Sequence, residues 1–164
     1  MQAEHRRFLE QRYDVESWFG HSESGGNVKA FAFTGLELGG WSLVRTELRV
    51  ADHAAVHSMW RHDEAADALL AIDVFECASV PAAHDRLLEI LATMQSNELE
   101  LRVGPAPGDI AFGLRDTMLL FARANVVVHV RNAGRVVVDV DPVARALDAR
   151  LRELAAEVDP EAKA

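Results

Sequence analysis

The chain is expected to fold as an α+β domain, an antiparallel β-sheet packed by helices, with one helix at its N-terminus and another at its C-terminus. Three observations predict this. Apolar β-forming runs gather in two blocks instead of alternating singly with helices. Two of those blocks pass into a helix whose first turn carries a proline. The resulting order of helix, strands, helix, strands, helix lacks the βαβ alternation of a parallel sheet.

Residues 4–19 hold good helix formers around Phe8, Leu9, Tyr13 and Val15, which predicts the N-terminal helix. It should stop at Gly20, and residues 20–27 (GHSESGGN) read as a small, polar, flexible loop. Residues 28–50 read as strand, turn, strand, because Phe31 and Phe33 alternate with alanine and Gly39-Gly40 supplies a turn before Trp41. Residues 51–68 are open between two forms. Alanines, acidic residues and the four-residue spacing of Val56 and Trp60 favour a helix, whereas the β-rich run that follows favours a hairpin turning at residues 63–67. The hairpin is preferred.

Residues 69–77 (LLAIDVFEC) read as a strand that hands over to a helix, with Ser79 as N-cap and Pro81 in the first turn. Over residues 81–95, Ala83, Leu87, Ile90, Leu91 and Met94 recur at helical intervals and define one apolar stripe. Residues 104–108 (GPAPG) interrupt regular structure, and short strands are expected over residues 110–112, 117–123, 126–131 and 136–140. Ala124-Asn125 and residues 132–134 supply turns between them. Asp141 then caps a helix with Pro142 at its first position and Val143, Leu147, Leu151 and Leu154 on one face, and residues 159–164 should fray. Ser-Val-Pro and Val-Asp-Pro enter the two later helices in similar ways, an echo that capping preferences alone explain.

At 164 residues the chain is read as one domain, long enough to bury roughly 70% of its unfolded surface around one core. A formal net charge of -9 repels phosphate backbones, and no cluster of lysine or arginine offsets it, so nucleic acid is excluded as a partner. Cys77 is the only cysteine, which rules out an internal disulfide and a cysteine zinc cage. No apolar stretch is long enough for a transmembrane helix, and the first residues lack a signal-peptide core. A soluble, cytoplasmic protein is the default expectation, with export or lipid anchoring if a leader precedes Met1.

The segments GDIAFG (residues 108–113), LLFARANVVVHV (residues 119–130) and DPVARALDARL (residues 141–151) resemble small bacterial domains of the PsbP-like type, which include lipoproteins and sensor-like ectodomains. The resemblance covers residues 70–164. It implies a non-catalytic domain that binds a partner or ligand, without motif residues that transfer to this chain.

His53, His57 and His62, beside Asp52 and Asp63, form the sharpest chemical cluster. On a helix His53 and His57 would share a face at metal-ligating spacing, though Ala54 stands where zincin motifs place a glutamate; on a strand they sit too far apart for one ion. A zinc-dependent hydrolase is therefore the alternative function, and surface histidines needing no cofactor are the simpler reading. Ser22 and Ser24 lack the glycines of a nucleophile elbow, and no glycine-rich run has the lysine and hydroxyl residue of a phosphate-binding loop. Cys77, in an apolar strand, reads as core filler ahead of a reactive thiol. Arg123, His129, Asp73 and Glu76 interrupt apolar strands and are expected on one solvated sheet face, while Trp41 and Trp60, with Trp18, could add a binding surface. The leading function is a non-enzymatic binding or sensor-like domain that presents a sheet face or the loop at residues 20–27 to a protein or small ligand. Self-association is expected through an edge supplied by residues 119–140.

Overall fold

The computed structural model describes residues 3–20, 27–50, 54–94, 96 and 98–158. Helix α1 (Ala3–Arg12) is followed by a 3-10 turn at Val15–Gly20, and a second 3-10 turn at Ala30–Phe33 precedes the sheet. Strands β1 (Trp41–Val50), β2 (Ala54–His62) and β3 (Ala65–Glu76) then lead into α2 (Val80–Thr93). Strands β4 (Glu100–Leu101), β5 (Ile110–Leu114), β6 (Met118–Arg123) and β7 (Val126–Asn132) lead into α3 (Asp141–Val158). The strands make one seven-stranded sheet in the order β1-β2-β3-β7-β6-β5-β4, and every pairing is antiparallel. The fold is α+β, as the element order predicts.

Strand alternation divides the core between the two faces of the sheet. Leu70, Ile72, Val74, Leu119, Phe121, Val126, Val128 and Val130 point to a face covered by Phe33 and by Val143, Ala144, Leu147 and Leu151 of α3. Phe112, Leu120, Ala122 and Val127 point to the opposite face, where Ala83, Leu87, Leu88 and Leu91 of α2 meet Leu9, Tyr13 and Trp18. β6 is buried along its whole length because both layers press on it. A three-strand meander (β1–β3) and a four-strand one (β4–β7) are each followed by a helix, but α2 and α3 pack on opposite faces, so no single two-fold relates the halves.

Several elements differ from the sequence expectation. The N-terminal helix ends at Arg12 because Asp14 takes a positive φ of 49°, which an α-helix cannot continue through. Residues 30–33 are not a strand. Glu76 accepts hydrogen bonds from the Ala30 amide (3.0 Å) and from Lys29 (2.8 Å), which fixes a 3-10 turn and drops Phe33 into the core while Phe31 stays exposed. Residues 136–140 are not a strand either. The Ala133 and Arg135 amides donate to Leu69 and Asp67 carbonyls (2.8 and 3.0 Å), so the chain leaves β7 across the start of β3. Gly134 permits that approach, since a Cβ there would lie 2.1 Å from the Asp67 carbonyl oxygen.

The start of α2 and the remaining turns follow their local signals, whereas Asp141 does not cap α3: it is the first residue inside the helix, and the Val140 carbonyl accepts the Ala144 amide at 3.0 Å. The Ser79 hydroxyl accepts the Ala82 amide at 3.3 Å and caps α2. Residues 54–62 are a strand, paired to β3 through a turn at Asp63 and Glu64, so the hairpin form holds over the described part of residues 51–68. Ala124 and Asn125 form the β6–β7 turn, with Ala124 at φ 51°. The buried Asn125 amide also ties Val28 to the end of β3, donating to the Val28 and Cys77 carbonyls (both 3.0 Å) and accepting the Val28 amide (2.8 Å). Most of the loop expected at residues 20–27, and the tail at residues 159–164, lie outside the described residues. No described helix is long and apolar enough to cross a membrane.

Candidate functional site

α2 packs on β6 and β7, which leaves the same face of β1, β2 and β3 without a helix over it among the described residues. Directly paired residues share a face, so register defines what this open face presents. One row across the sheet is Glu47, His57, Asp73 and His129. The row on one side is Arg45, Met59, Ala71 and Arg131, and the row on the other is Arg49, Ala55 and Phe75, which runs on into Val127 buried beneath α2. Arg86 of α2 reaches from the flank over the Phe75 ring, 4.7 Å from its centroid.

Asp73 is the centre of the cluster. Its carboxylate accepts hydrogen bonds from His57 Nδ1 at 2.8 Å and from Arg131, while His129 Nδ1 lies 3.9 Å away. Burial would push the Asp73 carboxyl up, but the hydrogen bonds from Arg131 and His57 outweigh it and hold the group below its ordinary value. Asp73 is thus a carboxylate at neutral pH. Burial pushes His129 the opposite way, down to about 4, and the Arg131 charge adds to the effect against the pull of Asp73. Because a guanidinium only donates, the 3.3 Å contact from Arg131 makes His129 Nδ1 an acceptor. The proton of the neutral ring therefore sits on Nε2, a buried donor with no hydrogen-bond partner among the described residues. At the outer end, Glu47 accepts from Arg49 (2.9 Å) and Arg45 (2.7 Å), which lowers its carboxyl to about 2.

The residues expected to act together are only partly assembled. Asp73 and His129 do share the open face. Arg123 does not: it is enclosed on the α3 side, where it pairs with Asp148 and, at 2.9 Å, with Asp109. The alternation of β6 puts Arg123 on the parity of Leu119 and Phe121, and α3 brings Asp148 to it. Glu76 likewise faces the α3 side, where it holds the turn at residues 30–33. Trp60 is buried in the α3-side core with its indole N–H on Ser58 Oγ at 2.8 Å, and Trp41 packs edge-on against His62. Arg131 and Glu47 were not anticipated. Arg131 stands two residues from His129, so strand period alone could have placed it on the same face.

The histidines do not converge. His57 and His62 are five residues apart on one strand and point to opposite faces, and His53 lies outside the described residues. Among the described residues no group of three or more His, Cys, Asp or Glu side chains could hold a metal ion. His57 and Asp73 form a base-like pair, but the neighbouring Ser58 hydroxyl is on the other face, bonded to the Ile72 carbonyl.

A separate concavity of about 690 Å³ opens between α1, the turn after it and α2, and includes Arg6, Glu10, Asp14, His84 and Asp85. Within it Arg6 spans Glu10 (2.6 Å) and Asp85. The fold and the cluster together define an antiparallel-sheet α+β protein with one half-open, polar sheet face. No protein-family model matches this chain, and neither does any curated protein or solved structure.

Proposed function

We propose that the protein is a non-enzymatic binding domain, of the sensor-like kind that its PsbP-like resemblance implies, and that its open sheet face receives an anionic ligand or an acidic protein segment. The observation that carries this reading is the local charge. In the three rows of the open face, Arg45, Arg49 and Arg131 exceed Glu47 and Asp73, on a chain whose overall charge is -9. A negatively charged partner is repelled by the molecule as a whole and attracted to this face, which selects where it docks.

The test is a chemical-shift titration of the labelled protein with a short polyglutamate peptide, with polylysine as control. The expected result is saturable shifts at His57, His129 and Arg131, weakened by added salt and lost in Arg131→Ala. Shifts confined to the concavity beside α1, or equal responses to both peptides, would overturn the assignment.

A further inference from the structure

β1 is the first strand of the sheet, and its outer edge pairs with no strand among the described residues. It is ten residues long, whereas the opposite edge strand, β4, is two. An exposed edge of that length is a template for another strand, and proteins usually guard such edges with charge, bulges or proline. β1 has a bulge between Leu43 and Arg45, but from Arg45 to Val50 the pairing with β2 is regular. Leu48 and Val50 are exposed on the α3-side face of this stretch, Val50 by 75%. Arg45, Glu47 and Arg49 occupy the open face, with Arg45 and Arg49 side chains 72% and 63% exposed.

The charge pattern of this stretch is complementary to itself. Two antiparallel copies of a strand are related by a two-fold axis perpendicular to the sheet, so residues whose numbers have a constant sum stand opposite each other on the same face. With the axis at Thr46, Arg45 faces Glu47 of the second copy and Glu47 faces its Arg45. With the axis at Leu48, Glu47 faces Arg49 of the second copy and the two Leu48 side chains meet. Each of these registers sets opposite charges against each other, the favourable cross-strand arrangement.

We propose that two copies of the chain associate through their β1 edges in antiparallel fashion, with Glu47 of each facing an arginine of the other. The two sheets become one continuous sheet. Because the axis is perpendicular to the sheet, both open faces lie on the same side and form one surface. This inference rests on the edge and its charges, independently of what the open face binds.

The test is sedimentation equilibrium of three proteins: the unmodified chain, Glu47→Arg, and the double variant Arg45→Glu/Arg49→Glu. The unmodified chain should show twice the single-chain mass and dissociate on dilution. Each variant, whose edge carries one sign of charge, should lose the dimer, and an equimolar mixture of the two should regain it as a one-to-one pair. Since only folded edges can be rescued by mixing, the mixture separates lost pairing from lost folding. A single-chain mass for the unmodified protein at near-millimolar concentration would overturn the proposal. So would dimers persisting in both variants, or a mixture that stays monomeric.

Discussion

At His129 the imidazole is enclosed and neutral, while in the unfolded chain it takes up a proton near its ordinary value of 6.5. Between that value and about 4 the unfolded state binds the extra proton, so stability falls as pH falls through this window. The full shift corresponds to up to about 3 kcal/mol. Asp73 acts below it: its folded value is depressed, so its contribution is present above 3.8 and is lost as pH falls through the folded value. Denaturant midpoints measured from pH 7 to pH 4 should therefore decline, and His129→Leu should flatten part of that decline, the buried His84, also lowered, adding to it. Cys77 is also closed off, 4% exposed and pushed up by burial to about 11. A thiol reagent at neutral pH should leave it unmodified in the native protein and label it fully in denaturant, because only the thiolate reacts. Asp73 and His129 were legible as polar interruptions of apolar strands. Their contact with each other was not, because it depends on β3 pairing with β7, whose residues are far apart in sequence.

The turns and the α2 cap were readable because each is set within a few residues: Ser79 with Ala82, Ala124-Asn125 between β6 and β7, Gly39-Gly40 before β1. Residues 30–33 and 136–140 misled for one shared reason. Their β-forming side chains suit a strand, but acceptors on β3 capture their amides, the Glu76 carboxylate in the first case and the Asp67 backbone carbonyl in the second. The junction of β6 and α3 rests on a different long-range contact. Arg123 bridges Asp148 on α3 and Asp109 ahead of β5, and all three side chains are under 10% exposed. Removing the guanidinium takes the buried cation from between Asp109 and Asp148, leaving Asp148 the more exposed Arg152 at 3.3 Å, so Arg123→Ala should cost about 3 kcal/mol in chemical denaturation. Binding at the opposite face should survive wherever the variant remains folded.

Across the whole molecule, the two cores share one sheet: β6 and β7 present alternate residues to α2 on one side and to α3 on the other. Neither layer can separate without stripping the strands that back the other. Leu87→Ala in α2 and Leu147→Ala in α3 should each lower stability by about 2–5 kcal/mol, and each variant should still unfold in one transition that coincides by fluorescence and by circular dichroism. Edge placement belongs to this scale as well. Residues 119–140 were expected to supply the edge for a second copy, yet β6 and β7 lie at the middle of the sheet and β1 is the long edge. Strand order is decided by which non-local pairings bury the most apolar surface, and no local pattern encodes it. The sequence by itself determined the α+β class, the approximate positions of α2 and α3 and the turns between strands, since these follow from period, capping and positive-φ preferences acting over a few residues. Only the tertiary structure decided the neighbour of each strand, and therefore which face stayed open, that Asp73 met His57, His129 and Arg131 there, and that Arg123 was drawn beneath α3 instead.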